Sequence, residues 1–259
     1  MSRIIWTPDA LSSEFLRLDP THIWRLVEAQ SRAATMKLVD SLGEQALLED
    51  MLDGSKPPLP VGCSGLHYLL ATPFRYDASK PSSVTRFRRK GSGDGVFYAA
   101  RKVETAVAEM AFYRMLFFAE SPKTILPRRP ALFTGFHVPV HSARGLDLTV
   151  PPLSQDADLW TDKRDYEPCL QLADSARKAG AEIIVAQSVR DPQKGKTVAV
   201  LSPKAFAQKE PDLTKQESWA IHLRAGHAVA QRDFPRKSLS FDLADMDDGR
   251  LGVYPVASR

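Results

Sequence analysis

The sequence predicts an α+β protein built on a mainly antiparallel or mixed sheet, and three observations carry that expectation. Val96–Ala100 is a glycine-bounded apolar run of strand length that passes within a few residues into helical spacing over Val103–Phe118. Glu182–Ser188 is a second apolar run, and Thr197–Leu201 returns as its hairpin partner across the turn Asp191-Pro-Gln-Lys-Gly195. Short strands recur with a few helices between them and without an internal repeat, which fits a sheet with segregated helices better than a bundle or a solenoid.

Taken in order, residues 1–60 read as a helical N-terminal extension. Asp19 or Thr21 is placed to cap a helix through Ile23, Trp24, Leu26 and Val27; a second run carries Met36, Leu38, Val39 and Leu42 to Gly43, and a third spans Glu44–Leu52. Lys56-Pro-Pro-Leu-Pro60 cannot continue a helix and marks a boundary. The core then occupies residues 61–208. Leu66–Leu70 and Phe74–Tyr76 read as short extended pieces split by Pro73, and Asp77–Val84 as a loop. Thr85-Arg-Phe-Arg-Arg-Lys90 gathers four cations just ahead of Gly91-Ser-Gly-Asp-Gly95, so a basic, glycine-rich loop feeds the Val96 strand. Beyond the helix, Ala131–Val140 alternates as a strand with Leu132, Thr134, Phe136 and Val138 on one side, and Leu146–Val150 is a further short apolar piece ended by Pro151-Pro152. Tyr166–Lys178 is a helix with Gly180 as its stop. Residues 209–259 read as a C-terminal extension packing on the core, with Phe241–Leu243 and Gly252–Val256 as edge strands.

The helix from Val103 holds the residue with the most chemistry. Val103, Ala106, Val107, Met110, Ala111, Phe117 and Phe118 project as one apolar stripe, and Glu109 falls beside it among Ala106, Phe112, Thr105 and Tyr113. A carboxylate there is unfavourable unless it is neutral, paired or hydrogen-bonded. Two readings follow: a buried Glu paired with an Arg, or an acid that meets a substrate.

Composition bounds the remaining choices. The 259 residues, 43% hydrophobic and 25% charged, suit a soluble globular protein and exclude disorder. The net charge of +4 is spread without a long basic run, and no helix-turn-helix stands out, so direct nucleic-acid binding is disfavoured. Cys63 and Cys169 show no metal spacing, which favours a reduced chain. Neither a signal peptide nor an apolar run of membrane-spanning length is present, so a cytoplasmic location is expected, without membrane insertion. Phosphate-loop, dinucleotide-fold, zincin and nucleophile-elbow motifs are absent, and Pro139 between His137 and His141 opposes a helical metal pair, so no metal is implied.

Arg75-Tyr76, then Thr85-Arg-Phe-Arg88, then Gly95-Val-Phe-Tyr-Ala-Ala with Glu109 eleven residues after Tyr98, and finally Ile184-Val-Ala-Gln-Ser-Val-Arg190 together resemble the RES-domain family, the toxin half of bacterial Xre/RES toxin–antitoxin pairs. The resemblance runs from about Gly65 to Pro203. It matches Arg75 to the family's Arg, Glu109 to its Glu and Ser188 to its Ser, with Tyr98 as a strand tyrosine and Tyr76 as the aromatic after the first Arg. The family's GGRW form is replaced by Arg86-Phe-Arg-Arg-Lys-Gly, leaving open which of Arg86, Arg88 and Arg89 meets ligand.

The resemblance implies an ADP-ribosyltransferase-like fold, NAD as substrate and no metal. It implies cleavage of the nicotinamide–ribose bond with hydrolysis or phosphorolysis of NAD, or transfer of ADP-ribose to a host protein such as phosphoribosyl pyrophosphate synthetase. It also implies a cognate Xre-type antitoxin. In that chemistry Glu109 stabilises developing positive charge at the ribose, Arg75 with Arg86 or Arg88 suits the pyrophosphate, Tyr76 and Tyr98 offer flat faces, and Ser188 donates a hydrogen bond without acting as nucleophile. Each has a structural alternative: Tyr98 as core, Arg75 as partner of Glu109, Ser188 as a turn residue. A non-catalytic nucleotide-binding module is the competing class.

Overall fold

The computed structural model describes residues 6–29, 39–55, 57–75, 84–93, 95–121 and 123–255, so the expectations placed on Met36, Leu38, Tyr76, the segment 77–83 and Val256 lie outside the described residues. The strands are β1 (Leu16–Glu28), β2 (Phe97–Ala100), β3 (Ala131–Asp147), β4 (Ile183–Gln187), β5 (Lys196–Val200), β6 (Asp212–Arg224), β7 (His227–Arg232) and β8 (Lys237–Asp242). The helices are α1 (Pro8–Ser13), α2 (Leu42–Gly54), α3 (Tyr68–Ala71), α4 (Val103–Ala119), α5 (Ala157–Trp160), α6 (Glu167–Ala179) and α7 (Leu243–Met246). The strands form one mixed sheet in the order β1-β2-β5-β4-β3-β6-β7-β8. The α+β class with a mixed sheet core therefore holds. The parallel pairing is that of β3 with β4, from Gly145↔Ile183 to Asp147↔Val185.

Because β1 pairs with both β2 and β3, the five strands β1, β2, β5, β4 and β3 close into a ring. Ile23, Phe97, Phe136, Ile183 and Val198, one from each ring strand, share a single buried cluster. Burial of such side chains stabilises the ring by about 1.5–3 kcal/mol apiece before entropy is counted. The segment Ile23–Val27, expected as a helix, is thus a strand: its register with β3 runs from Thr21↔Val140 to Glu28↔Phe133. A short run of adjacent apolar residues fits either period, and here a partner strand far along the chain decides. Pro20 sits where the register shifts, between Leu18 and Thr21, so its missing N–H falls at an irregularity. Glycine does not stop the second run at position 43 either, since Gly43 lies within α2.

Helix α4 packs against the outer face of β6–β8. Val107, Ala111, Phe112 and Met115 meet Trp219, Ile221, Ala228 and Phe241 in one cluster that also takes in Met246, Leu251 and Tyr254. The expected stripe is only part of this, because Phe117 is 57% exposed while Phe112, Met115 and Leu116 are buried. A helix covered by strands on one side and by the C-terminal segment on another needs no polar face. On the far side α6 packs with α1, and Gly180, at φ 83°, ends α6 as expected.

Two other extended pieces are helical. Leu66–Leu70 contains the start of α3, capped by His67 Nδ1 accepting from the Leu69 N–H at 3.3 Å, and Thr72–Phe74 forms a 3₁₀ turn with Pro73 in its first turn. This turn lies so close to Gly95 that a Cβ there would sit 2.3 Å from Phe74 Cα. The C-terminal region holds more strand than its sequence suggested: β6 and β7 are well formed, Phe241 lies on β8, and Gly252 follows a 3₁₀ turn, Gly249–Leu251, rather than an edge strand. Cys63 and Cys169 are free and buried. No helix among the described residues is long and apolar enough to cross a membrane.

Candidate active site

A cleft of about 260 Å³ opens between the start of the ring and α4. Its lining draws on β1 through Trp24, Arg25 and Leu26, on the turn Thr85–Phe87, on β2 through Tyr98, on α4 through Ala106, Glu109, Met110 and Tyr113, and on the β4 end through Gln187, Val189 and Arg190. The strand-to-helix passage places Glu109 here: β2 delivers the chain to Val103, and Glu109 then lines the cleft with Ala106, Met110 and Tyr113 of the same helix.

Glu109 is anchored by the turn after β4. Ser188 Oγ donates to Glu109 Oε1 at 2.5 Å and accepts from the backbone N–H groups of Arg190 and Asp191 at 3.2 and 3.0 Å. Ser188 is 2% exposed, so its hydroxyl is committed to Glu109 rather than open to a ligand, and it does not line the cleft. Burial pushes Glu109 above the usual carboxylate range; the Ser188 hydroxyl and the Arg190 and Arg86 guanidiniums pull it back, while Asp191 adds to the rise. Asp191 is itself a strut. Its Oδ2 accepts from Thr105 Oγ1 at 2.8 Å and from Gly195 N at 3.2 Å, binding the hairpin turn to the first turn of α4.

The cationic side is the turn Thr85-Arg-Phe-Arg88, closed by Thr85 N–H to Arg88 O at 3.1 Å and Arg88 N–H to Thr85 O at 3.2 Å. The Tyr98 hydroxyl lies 2.8 Å from Thr85 Oγ1 and accepts from Phe87 N at 3.1 Å. Tyr98 therefore both lines the cleft and pins the turn, and burial pushes its phenol up.

The turn separates its three arginines. Arg89 pairs with Glu167 and Asp174 on α6, and Arg88 is buried at 4% exposure away from the cleft lining. Arg86 faces the cleft: Nη1 donates to Trp160 O and Nη2 to Asp162 O, both at 2.8 Å, and its guanidinium stacks 4.6 Å from the Tyr166 ring. Carbonyl partners orient Arg86 without neutralising it, and no carboxylate pairs with it among the described residues. A planar cation of this kind suits a phosphate. Arg75 caps the 3₁₀ turn Thr72–Phe74 and is not part of the lining, so the structure brings together Glu109, Arg86 and Tyr98, with Ser188 behind them, and leaves Arg75 and Arg88 outside.

Several lining residues escaped the sequence reading. Arg25 Nη1 donates to Tyr98 O at 2.7 Å, and Trp24 and Tyr113 add aromatic surface. For Trp24 and Arg25 the missing signal was the strand itself; for Tyr113 the spacing was visible, four residues after Glu109 on one helix face. His137 is buried against the rings of His22 and Trp24, at 4.7 and 4.8 Å, and burial pushes it below the usual imidazole range.

Comparison with known proteins adds two findings. The model of the RES domain matches residues 59–224. A chain in the crystal structure of the M. tuberculosis MbcT–MbcA toxin–antitoxin complex is similar at 11% sequence identity and a TM-score of 0.42, covering 94% of this chain and 96% of that one. No curated protein matches the sequence.

Proposed function

The chain belongs to the RES-domain family, and from that premise we propose that it is the toxin of a toxin–antitoxin pair and that it cleaves the nicotinamide–ribose bond of NAD, its substrate. The observation that carries this reading is the placement of Glu109, hydrogen-bonded by Ser188, in the same cleft as Arg86 and Tyr98. The cleft takes the nicotinamide riboside end of the dinucleotide, with the pyrophosphate at Arg86 and ring faces at Tyr98, Tyr113 and Trp24.

Breaking the C1′–N bond sends both bonding electrons to nicotinamide, which leaves as a neutral base, so no acid is needed at the leaving group. Positive charge develops on the ribose, and the ionised Glu109 beside it stabilises that oxocarbenium character as carboxylates do in glycoside cleavage. Water or phosphate then adds at C1′ and loses a proton to solvent. Ser188 holds the carboxylate in place; it is not the nucleophile, since its oxygen accepts two backbone N–H groups and its proton points to Glu109.

The purified chain is incubated with NAD, with and without phosphate, beside Glu109→Ala, and nicotinamide and the ribosyl product are quantified. Nicotinamide release that vanishes in the variant is expected, with ADP-ribose marking water and its 1″-phosphate marking phosphate as acceptor. A folded wild-type chain that releases no nicotinamide, either from NAD alone or with cell lysate and labelled NAD to capture a protein acceptor, overturns the reading in favour of a nucleotide-binding module. Induced expression is expected to arrest growth, and the cognate antitoxin to relieve the arrest.

A further inference from the structure

Arg190 is among the largest fully buried side chains of the protein, and yet it contributes to the cleft lining. Its guanidinium is held from three directions: Nη1 donates to Asp248 Oδ2 at 2.5 Å, and Nη2 to Lys163 O at 2.7 Å and to the Tyr166 hydroxyl at 3.1 Å. It also lies 4.1 Å from the Phe112 ring, on the helix that carries Glu109. Asp248, whose side chain is fully buried, accepts from Arg250 as well, at 2.9 Å. Two guanidiniums thus share one carboxylate, that of Arg190 buried and that of Arg250 partly exposed. Asp248 and Arg250 lie beyond residues 59–224, where the family match ends.

We propose that Arg190 is a positioning residue for Glu109 and that Asp248 locks it there, so that the C-terminal segment beyond the family match completes the site. This rests on the reading of Glu109 as the charge-stabilising carboxylate. Arg190 is tied to Glu109 twice, through its own charge and through its backbone N–H, which donates to the Ser188 oxygen whose proton goes to Glu109. The other groups around Glu109 are Tyr113 on its own helix, Arg86 from the turn, Asp191 beside Arg190, and Arg25 from β1 in the same cleft. Among the charges acting on Glu109, Arg190 opposes the effect of burial most strongly, ahead of Arg86.

The test is a carbon-13 NMR titration of glutamate-labelled full chain, with the Glu109 signal assigned by its loss in Glu109→Gln. The wild-type signal is expected to report an ionised carboxylate in the neutral assay buffer; a signal that reports the protonated acid there overturns the proposal with no variant needed. Arg190→Gln is expected to raise the midpoint by about one pH unit or more, and Arg190→Lys to restore most of the difference. Asp248→Asn gives the sharpest contrast. Removing a carboxylate from a fixed frame would lower the Glu109 midpoint, whereas release of Arg190 raises it, so a fall sinks the lock. These midpoints are independent of turnover: a midpoint unmoved in folded Arg190→Gln defeats this inference alone. A wild type whose Glu109 is ionised in that buffer and that releases no nicotinamide defeats the proposed reaction instead.

Discussion

The wall of the cleft that carries Glu109 is knit together by buried hydrogen bonds, whereas the wall that carries Arg86 is a short turn held to its neighbours by backbone carbonyls and half-exposed ion pairs. Behind Glu109, Ser188, Asp191, Thr105 and Gly195 form a chain of hydrogen bonds joining α4 to the β4–β5 turn, and Asp248 of the C-terminal segment holds Arg190 of that turn. The Thr85–Arg88 turn closes on its own backbone, is pinned by the Tyr98 hydroxyl, and presents Arg86 on two carbonyls. On the proposed reaction, the contrast follows from what each group has to do. A carboxylate that stabilises a cation works only at a fixed place and in a fixed charge state, and a buried, satisfied network supplies both. A guanidinium that grips phosphate stays charged whatever its surroundings, so its support can be lighter.

Substitutions test that contrast. Glu109→Gln is expected to lower NAD turnover by about a thousandfold or more, read as kcat, with the fold intact. Arg86→Ala is expected to act on the other wall by raising KM about ten- to a hundredfold with a smaller change in kcat, as loss of a charge-assisted contact would. If both variants altered kcat alike, the two walls would not differ in function.

Gly195→Ala strikes the knit wall structurally. A Cβ there would lie 2.0 Å from Thr105 Oγ1 and 2.6 Å from Asp191 Oδ2, so the strut must move. Denaturant unfolding is expected to show a loss of about 1–3 kcal/mol. Tyr98→Phe removes one hydroxyl and with it two hydrogen bonds to the turn, for an expected loss of about 1 kcal/mol and a few-fold rise in KM.

The smallest effect is one of pH. Burial raises Glu109 above its unfolded value, so the folded chain holds that proton more tightly than the unfolded chain. Ionising it on the way to neutral pH therefore weakens the fold. Glu109→Gln, neutral throughout, is expected to be more stable than wild type at neutral pH, with the gap closing as pH falls toward about 4. Thermal melts across that range check the sign.

What the sequence made legible was local. The strand entering α4, the β4–β5 hairpin and the Gly180 stop of α6 each depend on neighbours within a few residues, and each was visible as a period or a turn signal. Glu109 stood out because an acid amid alanines and aromatics needs an explanation. Ile23–Val27 read as helix because its strand partner lies in β3, and no local pattern names a partner so far away. Strands β6 and β7 were within reach: Trp219, Ile221 and Leu223 alternate ahead of Ala225-Gly226, a period-two pattern before a turn. The sorting of Arg86, Arg88 and Arg89 was beyond reach, since adjacent cations on a tight turn diverge by geometry alone, toward the cleft, the interior and the α6 carboxylates.

Ring closure also sets a schedule for the growing chain. Trp24 finds its β2 partner in Ala100 and its β3 partner in His137, and Arg190 finds Asp248 a further 58 residues along the chain. Contacts so distant in sequence form late and slowly. A nascent chain thus carries an open ring until β3 has emerged, and its cleft lacks the Asp248 anchor of Arg190 until the 58 residues that separate the two have followed.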